Sequence, residues 1–309
     1  MKSRLLPIFL LSSFSCPAAF AADVIADPPH VCDACDEWNQ PREPFRVYGN
    51  TWFVGTGGLG SMLITSPQGH ILIDGGLPQS APLIARNIAA AGFKLTDVKL
   101  ILNSHTHYDH AGGIAALARA SHAEVAASPA SKLALERGGP TEEDPQFGFG
   151  PKDNDYAPVR PVRAIADGET LRVGDLAVTA HFTPGHTPGG TTWSWLECES
   201  KAGNKVCLHI VYADSLNSVS APGFRFTGDA QHASRVESFE RSIDTVANLP
   251  CDILLAAHPG FVDLDAKLAR WKENPKVNPL LDTGACKAYA AGARQRLDKR
   301  VAEERASNE

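Results

Sequence analysis

Four side chains that can bind metal ions lie within six residues of one another, in His105-Thr106-His107-Tyr108-Asp109-His110. At alternating positions of an extended chain, His105 and His107 point to the same side, while Asp109 and His110 turn toward an adjacent point. This geometry suits two metal ions better than one. Imidazole and carboxylate ligands without thiolate favour zinc over iron or manganese, and hydrolytic two-metal sites hold their ions about 3.5–4 Å apart.

Two further histidines supply the ligands that this segment lacks. His186 lies in a stretch rich in Pro and Gly, and His258 directly precedes Pro259 and Gly260. Both follow a predicted buried strand, and loops at strand ends are where active sites are assembled. Together with Asp109, five histidines give three ligands to each of two zinc ions and leave positions open for water and substrate. The other histidines are interpreted as packed or surface residues: His30, His70, His122, His181, His209 and His232.

The elements around these residues predict two β-sheets. Short apolar runs broken by Gly-Asn, Gly-Gly and Pro-Gln-Gly between residues 46 and 73 are typical of β-hairpins. From Ala81 onward, helical periodicity alternates with apolar strands such as Val98–Leu102. Hairpins followed by βα units indicate an α+β fold of two packed sheets with helices outside. Residues 139–163 have no period and are expected to form a long functional loop.

The composition excludes several classes of protein. The chain has 309 residues, of which 43% are hydrophobic, so it can build a sizeable core and is not intrinsically disordered. Its formal net charge is −6 and it has no basic block, so no nucleic-acid partner is expected. The sequence contains no interdomain linker or repeat. We therefore expect a single domain that acts as a monomer on a small molecule.

The first 21 residues have the pattern of a secretory signal peptide. Lys2 and Arg4 precede an apolar run, and the Ala-Phe-Ala of residues 19–21 matches a cleavage site. A membrane anchor needs roughly 20 apolar residues, and this run is about half as long. Cleavage after this site removes Cys16 and leaves residues 22–309 as one domain, exported to the periplasm without membrane attachment.

The cysteines fit an oxidising compartment. Of seven in the chain, six remain after cleavage, and an even number can pair completely. Two of them flank a predicted hairpin turn, and two others would tie a strand to the C-terminal helix. For the C-x-x-C pair, a local disulfide is preferred over other partners or a redox site. The expected pairs are Cys198 with Cys207, Cys251 with Cys286, and Cys32 with Cys35.

The motif from His105 to His110, taken with His186 and His258, resembles that of the metallo-β-lactamase superfamily. The likeness covers nearly all of residues 45–305 and implies a four-layer αββα sandwich with the metal site at the edge between its sheets. The other subclasses of class B β-lactamases place a cysteine ligand where this chain has Ser215. A ligand set without cysteine resembles the third subclass.

The resemblance also implies roles for single residues. The first zinc ion would be bound by His105, His107 and His186, and the second by Asp109, His110 and His258. Ser215 would contact the substrate carboxylate, with Asn217 at the position of a second Ser or Thr and Ser218 or Ser220 as its alternatives. Asp74 matches a position that orients a metal ligand from outside the coordination sphere, and the alternative is a turn-capping aspartate. Independently of the resemblance, Phe147 and Phe149 of the loop 139–163, together with Trp52 or Phe53, are expected to form apolar walls for the substrate side groups.

The implied activity is hydrolysis of the β-lactam ring of penicillins, cephalosporins and carbapenems, an antibiotic-resistance function. A metal-bound hydroxide, oriented by Asp109, would attack the carbonyl. On the same fold, a glyoxalase-II-like thioesterase or a lactonase is the alternative, because those enzymes bridge both metals with an added aspartate and Asp214 lies one residue from the aligned place. A metal-dependent binding or redox protein is a further alternative, although no flavin-binding segment is present. The export signal and the serines after Ser215 favour the β-lactamase.

Overall fold

The structure is a computed structural model that describes residues 24–201, 203–230 and 232–307. The predicted signal peptide, residues 1–21, lies outside the described residues. Within the described ranges, no helix has the length and the apolar character that crossing a membrane requires.

The described part of the chain forms eight α-helices and twelve β-strands. The helices are α1 (Cys35–Trp38), α2 (Ala81–Ala90), α3 (Tyr108–Ala111), α4 (Ile114–Ser121), α5 (Pro129–Arg137), α6 (Val236–Asn248), α7 (Leu264–Glu273) and α8 (Ala285–Ala306). The strands are β1 (Phe45–Tyr48), β2 (Thr51–Phe53), β3 (Met62–Ile64), β4 (His70–Ile73), β5 (Val98–Leu102), β6 (Glu124–Ala127), β7 (Arg163–Ala164), β8 (Thr170–Val173), β9 (Leu176–Phe182), β10 (Thr191–Lys201), β11 (Asn204–Ala213) and β12 (Ile253–Ala256).

The strands form two mixed sheets. The first has seven strands in the order β1 to β7, antiparallel from β1 to β4 and parallel from β4 to β7. The second has five strands in the order β12-β11-β10-β9-β8, and only its β11–β12 pair is parallel. The predicted hairpins of the first third of the chain are therefore confirmed, as is the switch to strands joined by helices after Ala81.

Two hydrophobic cores hold the layers together. One lies between the sheets and includes Ile73, Trp193 and Tyr212, and it extends to the inner faces of α6 and α8. The other lies on the outer face of the first sheet, under α2 and α4. The order of layers is helix, sheet, sheet, helix, which confirms the predicted αββα sandwich.

Burial on both faces explains why the central strands are apolar throughout. Along β4, Ile71 and Ile73 enter the core between the sheets, whereas Leu72 enters the outer core. Successive side chains of a strand point to opposite faces, so a strand with two covered faces has no solvent-exposed position. The carboxyl ends of such strands open onto one edge of the sandwich, where the metal-ligand motif begins.

One hairpin is longer than the sequence predicts. The apolar runs suggest strands over Thr191–Leu196 and Val206–Tyr212, but β10 and β11 stay paired to Lys201 and Asn204. Polar residues with one face in solvent continue this two-stranded ribbon beyond the body of the sheet. Cys198 pairs directly with Cys207, as predicted.

Candidate metal centre

All six predicted ligands lie just beyond strand ends. His105 and His107 follow β5, and Asp109 and His110 lie in the short helix α3 that comes next. His186 lies between β9 and β10, and His258 follows β12. Five of these residues are buried, and the side chain of His258 is 21% exposed. The structure thus gathers the six side chains from both sheets at one edge of the sandwich.

Glycines allow the motif to pack against the end of β4. The amide of Gly75 donates to the carbonyl oxygen of His110 at 2.8 Å, and that of Gly113 donates to the carbonyl oxygen of Gly76 at 3.1 Å. A Cβ atom on Gly113 would lie 2.2 Å from the Gly75 carbonyl oxygen. Since no side chain fits in that space, glycine is required for this close approach.

One group of ligand atoms consists of Asp109, His110 and His258. The Oδ2 atom of Asp109 lies 3.2 Å from His110 Nε2 and 3.3 Å from His258 Nε2, and the two nitrogens are 3.1 Å apart. Ligand atoms placed tetrahedrally about 2.0–2.1 Å from a zinc ion are about 3.3 Å from one another. The three atoms therefore have the mutual spacing of ligands to one ion.

The second group consists of His105, His107 and His186, whose ligand atoms lie within 4.8 Å of one another. His107 Nδ1 and His186 Nε2 are 3.2 Å apart. His105 Nε2 is buried and has no hydrogen-bond partner. A buried polar atom without a partner is costly, so this nitrogen fits a metal ligand better than a structural histidine.

Three of the histidines contact a partner through the ring nitrogen that does not belong to the group of ligand atoms. His105 Nδ1 lies 2.8 Å from Asp214 Oδ1, and His107 Nε2 lies 3.0 Å from Asp144 Oδ1. His186 Nδ1 donates to the carbonyl oxygen of Asn217 at 2.7 Å. Such contacts fix the ring orientation and leave the opposite nitrogen free to bind a metal.

The electrostatics of the group suit metal binding. Burial, reinforced by the imidazole of His110, holds the pKa of His105 well below its ordinary value, and burial lowers the pKa of His186 to about 3. Burial opposes ionisation of Asp109, but His110 and His258 hold the pKa of its carboxyl well below the ordinary range. Neutral imidazoles and an ionised carboxylate are the forms that bind metal ions.

Asp74 accepts a group of hydrogen bonds behind the ligands. Its fully buried carboxylate accepts from the amide and hydroxyl of Ser104 at 2.7 and 2.6 Å, and from the hydroxyl of Tyr212 at 2.8 Å. Its Oδ2 lies 3.9 Å from His110 Nδ1. Asp74 has a left-handed backbone with φ of 64°, which is unusual for a residue other than glycine. It joins the ends of β4, β5 and β11 directly beneath the site.

A cleft of about 480 Å³ opens beside the ligands. Its lining includes His186, His258, Ser215 and Asn217, so two of the three predicted substrate-binding residues face it. The structure does not bring Ser218 there, because its hydroxyl donates to the carbonyl oxygen of Arg296 in α8.

The predicted apolar walls need correction. Phe53 is 1% exposed in the core between the sheets, and Trp52 packs edge-on against Phe93 at a different cleft. Both lie on β2, whose side chains enter the cores and do not reach the ligands. Phe147 and Phe149 are exposed in the long loop, but neither lines the cleft.

Sequence reasoning missed three residues of the site. Asp144 comes from the aperiodic loop 139–163, where no pattern marks it as a partner of His107. Glu37 and Trp38 of α1 line the cleft, and they lie in residues 22–45, the N-terminal arm, which contains no motif that predicts chemistry. The indole ring of Trp38 lies 5.3 Å from the ring of His258. The only sequence signal near them is the adjacent Cys32 and Cys35.

Comparisons with known proteins identify the family that has this fold. The model of the metallo-beta-lactamase superfamily matches residues 55–195. The structure of Rm3 metallo-beta-lactamase is 47% identical, covers 89% of this chain and 99% of its own, and superposes with a TM-score of 0.84. MEM-A1, a subclass B3 metallo-beta-lactamase isolated from a soil metagenome library, is 48% identical, covers 87% of this chain and 99% of its own, and superposes with a TM-score of 0.81.

This chain belongs to the metallo-β-lactamase superfamily. Its predicted likeness to the third subclass is confirmed by the match to MEM-A1. A curated hydroxyacylglutathione hydrolase from Anaeromyxobacter dehalogenans (strain 2CP-C) is 35% identical over 124 residues, which are 40% of this chain. The match spans only 37% of the length of that enzyme.

Proposed function

We propose that this protein hydrolyses the β-lactam ring of penicillins, cephalosporins and carbapenems in a zinc-dependent reaction. The observation that carries the proposal is the make-up of the ligand set, in which five histidines and Asp109 converge while Asp214 stays outside. Asp214 contacts the outer nitrogen of His105 and is thus placed to orient this ring. The similar solved structures named as metallo-β-lactamases support the same activity.

Two zinc ions per chain are the cofactors that fit this donor set. The group of His105, His107 and His186 would hold one ion, and the group of Asp109, His110 and His258 would hold the other. Imidazole nitrogens with one carboxylate suit zinc. When bound, the ions would lower the pKa of the attacking water and polarise the β-lactam carbonyl.

The protein's own residues prepare this chemistry in three ways. Contacts with Asp214, Asp144 and the carbonyl oxygen of Asn217 place the ring protons on the outer nitrogens of His105, His107 and His186. Asp109, the proposed catalytic residue, carries a buried negative charge that would orient the attacking water. Asp74 fixes the backbone beneath His105 through its bonds to Ser104.

Substrate binding is assigned to the part of the cleft lining that follows β11. Ser215 and Asn217 lie there beside His186, and the buried hydroxyl of Ser215 has no hydrogen-bond partner. A carboxylate of the substrate would satisfy this hydroxyl. Ser218 would join them only if it exchanged its bond to Arg296 for one to the substrate.

The alternative is a thioesterase of the glyoxalase II type, which the match to the curated hydroxyacylglutathione hydrolase favours. Zinc-loaded protein should be assayed with a penicillin, a cephalosporin, a carbapenem and S-lactoylglutathione. We expect the kcat/KM of at least one β-lactam to exceed that of the thioester by about a hundredfold or more. Turnover of the thioester alone would establish the alternative.

We further propose that residues 22–309 form one monomeric domain that is exported to the periplasm after loss of residues 1–21. In support, the sulfur atoms of Cys32 and Cys35, of Cys198 and Cys207, and of Cys251 and Cys286 lie at disulfide distance. Export is tested by N-terminal sequencing of the periplasmic protein, which should begin at Ala22, and by thiol titration, which should detect no free thiol. Protein found only in the cytoplasmic fraction with residues 1–21 intact would refute export.

A further inference from the structure

The segment that carries Ser215 and Asn217 has no secondary structure of its own. Strand β11 ends at Ala213, and no helix or strand forms in the described residues 214–230 and 232–235 that precede α6. Ladder hydrogen bonds therefore do not fix the conformation of this part of the cleft, which we call the 215–217 edge. Every buried backbone N–H and C=O group needs a hydrogen-bond partner, so other elements must supply the partners for the backbone groups of Asp214 and Leu216.

The amide of Asp214 donates to the hydroxyl of Thr192, and helix α8 supplies partners for the carbonyl oxygen of Asp214 and the amide of Leu216 through Tyr289. The buried hydroxyl of Tyr289 donates to the carbonyl oxygen of Asp214 at 2.6 Å and accepts from the amide of Leu216 at 3.2 Å. The two bonds lie on either side of Ser215. One phenol thus closes the turn that presents Ser215 to the cleft.

A second residue of α8 joins the 215–217 edge to the neighbouring wall. Arg296 Nη2 donates to the carbonyl oxygen of Leu216 at 3.2 Å, and its guanidinium lies 4.9 Å from the ring centroid of Phe261. Phe261 lines the cleft near His258. Arg296 therefore fixes the distance between two walls that are separate in the sequence.

The same face of α8 continues to hold the segment further along. Arg300 donates to the hydroxyl of Ser220 at 2.8 Å and to the carbonyl oxygen of Phe224 at 2.9 Å. Glu304 accepts from the amides of Phe226 and Thr227 at 3.0 and 2.8 Å. Residues seven and four positions apart lie on one side of a helix, so a single face of α8 holds residues 214–227.

We infer that Tyr289 and Arg296 are positioning residues that set the conformation of the 215–217 edge and thereby the affinity for the substrate. The inference rests on the proposed function, because it assigns substrate binding to Ser215 and Asn217. Neither residue touches the six ligands. The edge also holds His186 through the carbonyl oxygen of Asn217, but all six ligand side chains remain in both variants. We therefore expect the loss of Tyr289 or Arg296 to weaken substrate binding without emptying the metal site.

The test compares Tyr289→Phe and Arg296→Met with two matched controls. Tyr48→Phe removes a hydroxyl that donates to Val206 on the ribbon, and Arg294→Met removes an arginine of α8 that pairs with Glu240 and Asp244. Steady-state kinetics with a penicillin, bound zinc and hydrogen exchange of residues 214–220 are measured for each zinc-loaded protein. Hydrogen exchange and zinc content can be measured even if the protein does not hydrolyse the penicillin.

For Tyr289→Phe and Arg296→Met we expect KM to rise about fivefold to tenfold while kcat stays within about twofold of wild type. This result is expected when the lost interaction binds the substrate and the transition state equally well. Bound zinc should be unchanged, exchange of residues 214–220 should accelerate, and both controls should match wild type. Unchanged KM and exchange, or a fall in kcat accompanied by zinc loss, would overturn the inference. If the wild type hydrolyses no β-lactam, the proposed function fails, and the exchange data alone decide whether α8 holds the edge.

Discussion

At the scale of single residues, the partners of the histidines matter as much as the histidines themselves. Asp144 reaches His107 from a loop far away in the sequence and is 2% exposed. The charge of Asp144 and its hydrogen bond to His107 overcome the effect of burial and raise the pKa of that histidine. Because Asp144 accepts the proton of Nε2, Nδ1 is the nitrogen of His107 that faces His186 and can bind a metal ion.

Replacing Asp144 by alanine should weaken zinc binding by about tenfold to a hundredfold, because His107 loses the group that orients it. Competition with a chromophoric chelator measures the affinity. The matched control is Asp155→Ala, which removes an aspartate of the same loop that forms a partly exposed ion pair with Arg137. Equal zinc affinity in Asp144→Ala and wild type would show that Asp144 does not orient His107.

The sequence predicted the six ligand candidates that the structure brings together but not these partners, for a physical reason. His105, His107, Asp109 and His110 share one short segment, where spacing alone limits where they can point. Asp144 approaches His107 only when the long loop folds back over the sheet edge. A contact of that kind depends on tertiary packing, which leaves no periodic trace in the sequence.

At the scale of elements, the β10–β11 ribbon carries a buried acid. Glu197 is 7% exposed and accepts from the hydroxyl of Thr51 at 3.3 Å and from the amide of Cys198 at 3.1 Å. Burial raises its pKa. The folded protein therefore favours the protonated form, and the stability that this preference adds is lost as the pH rises through the raised pKa.

The free energy of unfolding of Glu197→Gln, measured relative to that of wild type, should consequently increase as the pH rises from 4 to 7. The two proteins should be most alike at the acidic end, where both side chains are neutral. Urea unfolding of the metal-free proteins across this range measures the difference. Glu199→Gln, at a partly exposed carboxylate that pairs with Arg46, is the control. If the difference in free energy of unfolding between Glu197→Gln and wild type does not change with pH, the pKa of Glu197 is not raised in the folded protein.

The two longer-range cysteine pairs should differ in their contribution to stability. Cys251 and Cys286 are separated by 35 residues and tie β12 to α8, whereas Cys198 and Cys207 are separated by 9 within one hairpin. Chain-entropy arguments give about 4 kcal/mol for the larger loop and about 3 kcal/mol for the smaller. Denaturant unfolding of the two double Cys→Ser variants should show the larger loss for the first pair. The reverse order would contradict this account.

At the scale of the whole molecule, the sandwich places the ends of both sheets at one edge. The first sheet contributes His105 to His110, and the second contributes His186 and His258. The alternation of hairpins and βα units predicted two packed sheets with helices outside, and the resemblance to the superfamily implied the four-layer sandwich with the site at the edge between its sheets. The length of the ribbon, the course of the N-terminal arm and the packing of α8 on the cleft were not predictable, because side-chain contacts between distant segments decide them.

The most direct test of the account is hydrolysis of a penicillin, a cephalosporin and a carbapenem by the purified protein before chelation, after chelation and after zinc is restored. The ligand set predicts turnover of at least one of these β-lactams, its loss on chelation, and its recovery as two zinc ions bind per chain. Failure to hydrolyse any of the three with both ions bound, or turnover that a chelator leaves unchanged, would contradict the proposed zinc-dependent β-lactam hydrolysis.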